Sequence, residues 1–141
     1  MNRRDMLKTV SAAIAGTSLL GMEALASNPH AGTSPAKKAL IIGAHPDDPE
    51  TGCGGTMLVL EKAGYEVVSV YMTKGEAGIP GKTHEESSAI RVAEATKASE
   101  MLGARPIFMT QIDGSTEINK ERYVEMRELI AAEKPDVVFT H

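Results

Sequence analysis

Four short apolar, β-branched runs alternate with three helical segments from Lys38 onwards, and this alternation restricts the possible folds more than any other feature. Strands joined through helices need crossover connections, which are right-handed and give a parallel sheet with helices packed on it. The predicted strands are Leu40–Gly43, Glu66–Met72, Ile107–Met109 and Val137–Thr140. The predicted helices are Gly54–Lys62, Thr83–Leu102 and Lys120–Glu133.

The alternation predicts one α/β domain, a Rossmann-like parallel sheet with flanking helices, over residues 38–141. The expected strand order is 3-2-1-4, so the fourth strand should lie beside the first. A fourth strand at the edge leaves an unpaired apolar ladder, which is a template for aggregation. The sequence therefore predicts a sheet truncated after its fourth strand, as in an N-terminal fragment or a prematurely ended reading frame.

The second predicted helix has clear sequence signals. Thr83 and Glu86 have the spacing of a capping box, and Gly103 is a typical stop. Helical spacing predicts an apolar face made of Ala89, Ile90, Ala93, Ala98, Met101 and Leu102.

Polar residues cluster directly after the first predicted strand, in the run from Ala44 to Glu50. His45 and Asp48 are ligand types that suit a cation such as Zn²⁺, although His-Asp sites also accept iron, cobalt or manganese. Asp47, between them, could act as a base towards a metal-activated water. The alternatives are a loop histidine bonded to backbone and an aspartate that caps the next helix or closes a turn. Glu50 could be an outer hydrogen-bond partner or a solvated charge.

Three glycines follow this cluster, at positions 52, 54 and 55, and are expected to let the chain turn tightly into a helix whose amides could hold an anion. The Gly-x-Gly-x-x-Gly spacing of dinucleotide-binding proteins is absent, and an acidic turn would repel a pyrophosphate. A nucleotide-binding module is therefore a weak third hypothesis. Cys53 is predicted to be a packing residue.

The run His45-Pro46-Asp47-Asp48 with the glycine-rich segment behind it resembles the signature of the PIG-L/LmbE-like de-N-acetylases. The resemblance extends from about Lys38 to His141, through the block that begins at Thr73 and the helix that carries Arg91 and Glu94. It implies a zinc enzyme that removes the acetyl group from N-acetylglucosamine-type sugars, with His45 and Asp48 as ligands and Asp47 as general base. Pro49 separates Asp48 from Glu50, whereas many members have Glu directly after the second Asp.

The resemblance also bears on three residues further along the chain. It suggests that Arg91 reaches towards substrate, although a surface ion pair with Glu94 is the simpler interpretation. Asp113 follows the third strand, where a turn is the default and a substrate contact the alternative. His141 could complete a metal triad by its position. The resemblance instead implies that the third ligand belongs to a His-x-Asp-His-type segment beyond this residue.

The N-terminus is predicted to be a targeting segment rather than part of the fold. Arg3 and Arg4 precede a mildly apolar run, and a small-x-small site ends at Ala26, so residues 1–26 are expected to be a twin-arginine signal peptide. Residues 27–37 read as a linker. This predicts export by the Tat machinery to the periplasm or beyond.

Together these features predict a zinc-dependent hydrolase acting on a small N-acetylated amino-sugar conjugate. The alternative is an inactive or truncated remnant of the same fold that serves only in binding and lacks the third ligand. A net charge of −4 without a basic stripe argues against a nucleic-acid partner. The sequence leaves the oligomeric state open.

Overall fold

A computed structural model describes residues 36–140, which form a four-stranded parallel sheet with three helices. The elements are β1 (Lys38–Gly43), α1 (Asp48–Lys62), β2 (Glu66–Tyr71), α2 (His84–Met101), β3 (Ala104–Phe108), α3 (Lys120–Glu133) and β4 (Val137–Thr140). The predicted signal peptide, most of the linker and His141 lie outside the described residues. Within the described part, no helix combines the length and apolar character needed to span a bilayer.

The strand order is β3-β2-β1-β4, which confirms the predicted order. Every pairing is parallel, and Leu40 of β1 stands between Val68 of β2 and Val138 of β4. The order places β1 and β2 in the centre, and both are almost completely buried. Their continuous apolar runs suit strands that are covered on both faces.

Side chains alternate along the strands and form two core clusters, one on each face of the sheet. One cluster contains Ile41 and Val67 together with Met57 of α1. The other contains Leu40 and Val68, with Met126 and Leu129 of α3 packed against it. Helices therefore cover both faces, as the predicted fold class requires.

Helix α1 begins at Asp48, six residues before the predicted start at Gly54. Pro49 is tolerated because the first helical turn has no intrahelical acceptor for its missing N–H. Glu50 and Asp48 add negative charge where the helix dipole favours it. The predicted glycine turn is wrong: Gly52 and Gly54 lie inside the helix.

Helix α2 confirms its predicted capping box, since Thr83 and Glu86 satisfy each other's backbone N–H groups. Its predicted apolar face is largely wrong, although Leu102 does pack against the first core cluster. The fully buried positions are Ser87, Ala95 and Ser99, whereas Met101 is 74% exposed. Small side chains let the helix approach the sheet closely, and Ser99 finds a polar partner there.

Strand β3 starts at Ala104, three residues before the predicted start, and contains Pro106. Proline cannot donate to a ladder, so it is confined to edge strands or bulges. Because β3 is an edge strand of the described sheet, the missing donor leaves no neighbouring acceptor unpaired.

Candidate active site

The loops that follow β1, β2 and β3 meet at the carboxyl edge of the sheet, where parallel α/β proteins place their ligands. Thr73 donates from both its amide and its hydroxyl to the carbonyl of Ala44, at 2.9 Å each. The amide of Gln111 donates to the carbonyl of Met72. These bonds join the three loops into one surface that carries the predicted site residues.

The turn from β1 into α1 is tight, and two residues make it possible. Asp47 has φ 118° and ψ −20°, a left-handed conformation that is uncommon outside glycine but better tolerated by Asp and Asn. Gly43 lies under the first turn of the helix. A Cβ there would stand 2.5 Å from Cβ of Asp48 and 2.8 Å from Cδ of Pro49. The sequence interpretation missed Gly43, whose role depends on that contact.

His45 lies between two carboxylates. Its Nδ1 is 3.4 Å from Oδ2 of Asp48, and its Nε2 lies within hydrogen-bonding distance of Oδ1 of Asp113, at 3.1 Å. Oδ2 of Asp48 also accepts the amide N–H of His45 at 2.7 Å, which fixes the two residues relative to each other. The His45 side chain is 47% exposed, so solvent and ligands can reach it.

The separation of His45 Nδ1 and Asp48 Oδ2 fits a shared cation. Two ligand atoms of a tetrahedral zinc stand ~3.3 Å apart, given metal–ligand distances of about 2.0 Å. The donor set, one imidazole and one carboxylate, also suits Zn²⁺. Between residues 36 and 140, no group of three or more His, Cys, Asp or Glu side chains is arranged to hold a metal ion. The described residues thus provide a pair of suitable ligands.

Asp47 turns its carboxylate towards α2, where Arg91 donates to its Oδ2 at 2.7 Å. The same Arg91 nitrogen donates to the carbonyl of Pro46, and its other terminal nitrogen donates to Glu94 at 3.1 Å. The hydrogen bond that Arg91 donates to Asp47 raises the pKa of Arg91, which keeps the guanidinium charged. Asp47 makes no side-chain capping bond, so its carboxylate does not cap the helix.

Arg91 forms the predicted ion pair with Glu94, whereas its predicted contact with substrate stays a prediction. It also reaches Asp47 of the candidate site. Its side chain is 25% exposed and packs close to Gly75, where an added Cβ would lie 3.3 Å from the arginine stem. A small cavity of about 100 Å³ lies beside it, lined in part by Asp47, Glu50 and Arg91.

Glu50 points inwards, so it is not a solvated charge. Its Oε1 accepts the hydroxyl of Tyr71, and Ser99 Oγ lies 2.9 Å from the same hydroxyl. Burial, reinforced by the neighbouring carboxylate, raises the pKa of Tyr71 and keeps the phenol protonated as a donor. Glu50 thus ties the first turn of α1 to β2 and α2.

Asp113 is tied to the loop after β2 as well as to His45. Its Oδ2 accepts the amide N–H of Ala77 at 3.2 Å. Glu76 Oε2 accepts the amide of Asp113 at 3.1 Å in return. The sequence interpretation gave Glu76 no role. A charged residue in a glycine-containing loop directly after a buried strand is the signal that could have found it.

Other candidate residues stand apart from this cluster. Cys53 packs against the first core cluster, as predicted for a packing residue. His84 is exposed at the start of α2.

A groove of about 410 Å³ opens beside Asp48, between Thr51 of α1 and Phe139 of β4, and gives room for a small molecule next to the ligand pair.

Comparison with known proteins gives the family. A family model described as GlcNAc-PI de-N-acetylase, PIG-L, matches residues 40–141. Diacetylchitobiose deacetylase of Thermococcus kodakarensis is 37% identical over 106 residues, which cover 72% of this chain and 39% of that protein. The 1D-myo-inositol 2-acetamido-2-deoxy-alpha-D-glucopyranoside deacetylase of Kineococcus radiotolerans is 36% identical over 86 residues, 56% of this chain and 24% of that protein.

Solved structures share the fold. N,N'-diacetylchitobiose deacetylase from Pyrococcus horikoshii aligns with a TM-score of 0.71 and 26% identity, over 99% of this chain and 50% of that one. GalB, a 4-carboxy-2-hydroxymuconate hydratase from Pseudomonas putida, aligns with a TM-score of 0.68 and 26% identity, over 74% and 47%. The chain thus spans half or less of the length of these proteins. With the family model covering residues 40–141, the chain belongs to the PIG-L/LmbE-like de-N-acetylase family.

Proposed function

We propose that this chain carries a metal-dependent deacetylase site for N-acetylated amino sugars. The observation that carries the proposal is the His45–Asp48 pair, two suitable ligand atoms held 3.4 Å apart at the carboxyl end of β1. Asp47 stands between them in the sequence and presents a carboxylate that is 59% exposed.

His45 and Asp48 would hold Zn²⁺ or another divalent cation, which supplies polarisation of the acetyl carbonyl and a more acidic water. Asp47 takes the proton from the water that attacks the acetyl carbon. It then returns the proton to the amine nitrogen as the carbon–nitrogen bond breaks, so that acetate and a free amino sugar leave. Arg91 donates to the Asp47 carboxylate and so fixes its position.

The substrate class rests on the names of the relatives. Two of them are deacetylases of sugars with an acetamido group, a diacetylchitobiose and an inositol glycoside. The hydratase with the same fold shows that the architecture by itself supports another reaction. The family match and the two relatives favour amide hydrolysis on a small N-acetylated amino-sugar conjugate.

A second candidate is a non-catalytic binding domain of the same fold. One observation favours it: residues 36–140 provide two suitable ligands and no group of three. Such a domain would bind metal weakly and would release no acetate.

Metal content and acetate release separate the two candidates. We expect the purified chain to bind about one Zn²⁺ and to release acetate from diacetylchitobiose or an N-acetylglucosamine glycoside. His45→Ala should lose the metal, whereas Asp47→Asn should keep it and lose activity by at least ~100-fold. His84→Ala, which changes an exposed histidine away from the pair, is the matched control. No metal in the wild-type chain, or metal unaffected by His45→Ala, would overturn the proposal.

We also propose export by the Tat machinery, with removal of residues 1–26. The twin arginines, Arg3 and Arg4, and the small-x-small site support this. N-terminal sequencing of the protein from periplasmic and cytoplasmic fractions tests it. A soluble cytoplasmic chain that retains Met1 would contradict it, and replacing both arginines by lysine should block export.

A further inference from the structure

We propose that Glu76 is a positioning residue that holds Asp113 against His45, and that this contact sets the orientation and tautomer of the His45 ring. We call the reciprocal bonds between Glu76, Ala77 and Asp113 the clasp. The part of the proposal that concerns metal affinity rests on the proposed function; the clasp itself does not.

The position of Glu76 indicates a specific role. Glu76 is only 7% exposed, although it lies in a loop. Burying a carboxylate is unfavourable unless hydrogen bonds compensate for the lost water. Oε2 of Glu76 accepts two backbone amides, those of Lys74 and Asp113, at 3.1 Å each. The carboxylate thus shapes its own loop and fixes the backbone of the loop after β3.

Asp113 completes the clasp in the opposite direction. Its Oδ2 accepts the amide of Ala77, the residue next to Glu76, at 3.2 Å. With one oxygen held by this loop, the other oxygen, Oδ1, is aimed at His45 Nε2 at 3.1 Å. The Asp113 side chain is 16% exposed, so it is mostly enclosed by these contacts.

The consequence concerns the two ring nitrogens of His45. An ionised carboxylate only accepts hydrogen bonds, so the neutral ring must carry its hydrogen on Nε2 to pair with Asp113. The lone pair then resides on Nδ1, the nitrogen that faces Asp48 at 3.4 Å. Histidines that bind metals usually donate their other N–H to a carboxylate or carbonyl, which fixes the ring in this way. Asp113 therefore acts on His45 before any substrate is bound.

Nitrogen NMR of the His45 ring in the metal-free full chain, at a pH where imidazole is neutral, reads the tautomer directly. We expect the Nε2–H form in the wild type and in Glu76→Gln, because an amide oxygen can accept both backbone N–H groups. Glu76→Ala should shift the ring towards the Nδ1–H form or a mixture. Glu125→Ala is the matched control: this carboxylate also holds the segment after β3, through Thr110, but does not contact Asp113.

Asp113→Asn provides a second variant with almost no change in shape. Its single amide oxygen cannot serve both Ala77 and the His45 N–H, so the Nδ1–H form should again increase. A wild-type ring in the Nδ1–H form overturns the proposal that the clasp sets the tautomer of His45. An unchanged tautomer in Asp113→Asn also overturns it, whether or not Glu76→Ala folds.

Zn²⁺ titration gives the second readout. Loss of such outer contacts typically weakens metal binding 10- to 100-fold, and we expect this for Glu76→Ala and Asp113→Asn but not for Glu125→Ala. Equal affinities in all variants would contradict the effect on the ligand. If the wild type binds no metal, the proposed function fails, while the tautomer result still decides the clasp.

Discussion

At the amino end of the sheet, charged side chains neutralise one another, whereas at the carboxyl end carboxylates outnumber their cations. Lys38 and Arg105 each contact both Glu66 and Glu133, at 2.7 to 3.2 Å. These four residues form what we call the amino-end network. It joins the starts of β1, β2 and β3 to the end of α3.

The carboxyl end has a different balance. Arg91 and His45 stand among six carboxylates, those of Asp47, Asp48, Glu50, Glu76, Glu94 and Asp113. Concentrated negative charge is unfavourable for folding but attracts a cation, and perturbed charge clusters are typical of functional sites. The comparison indicates that paired charges support the fold at the amino end, whereas the carboxyl end tolerates an excess of negative charge, as functional sites often do.

The strongest test of the comparison is Gly43→Ala, which overfills the carboxyl end. A new Cβ would stand 2.5 Å from Asp48 and 2.8 Å from Pro49, so the first turn of α1 must move. Overpacking of this kind typically lowers the free energy of unfolding by about 1–3 kcal/mol. Urea denaturation measures it. Zn²⁺ binding should weaken in parallel, because Asp48 moves.

Gly55→Ala is its matched control. Nothing lies within 4 Å of a Cβ at this helical position. The change should stabilise the protein by about 0.5–1 kcal/mol, since alanine favours a helix. Equal effects of the two substitutions would contradict the close approach at Gly43.

The next effect in size concerns the amino-end network. Glu133→Gln removes a mostly buried anion that holds both Lys38 and Arg105, and we expect a loss of about 1 kcal/mol in the free energy of unfolding. Glu128→Gln, at an exposed position of the same helix, should change little.

The same substitution should change the pH dependence of stability. The hydrogen bond from Arg105, then that from Lys38, lowers the pKa of Glu133 below the ordinary value of 4.5. A carboxylate whose pKa is lower in the folded than in the unfolded protein stabilises the fold at pH values above its unfolded pKa. This stabilisation is lost as the pH falls through its folded pKa. Wild-type stability should therefore decline below pH 4.5 more steeply than that of Glu133→Gln. Parallel profiles would show that the network contributes little.

The smallest expected change in stability is at the carboxyl end. Asp47→Asn keeps a residue type that tolerates a left-handed backbone and removes one of several crowded negative charges. The lost pairing with Arg91 is at an exposed position, so the free energy of unfolding should change by less than about 0.5 kcal/mol. Asp47→Ala should cost about 1 kcal/mol more, because alanine is strained at φ 118°. If Asp47→Asn lowered the free energy of unfolding by more than about 1 kcal/mol, the charge of Asp47 would stabilise the fold, as the charges of the amino-end network do.

Much of the fold could be predicted because its signals are local. The buried runs of β1 and β2 and the capping box at Thr83 are read from neighbouring residues. The predictions for the start of α1 and for the buried face of α2 were wrong because both features depend on contacts made only in the folded chain. Gly43 leaves room for Asp48 at the start of α1. Tyr71 provides a hydrogen-bond partner for the buried Ser99, 28 residues away in the sequence.

The candidate site divides in the same way. His45 and Asp48 are three residues apart, so their proximity follows from the turn after β1. The pairing of Arg91 with Asp47 spans 44 residues, and that of His45 with Asp113 spans 68. Sequence reasoning named these residues but could not choose between a surface pair and a site contact for Arg91.

The sequence by itself determined the parallel α/β fold, the strand order and the cluster of candidate ligands after β1. These depend on hydrophobic periodicity and on short-range spacing, which the chain carries locally. Only the tertiary structure decided that Glu50 points into the core, that Arg91 reaches Asp47, and that Asp113 contacts His45. Each of these contacts joins residues of different helices, strands or loops at the carboxyl edge of the sheet, and hydrogen-bonding partners far apart in sequence become neighbours only when the sheet forms.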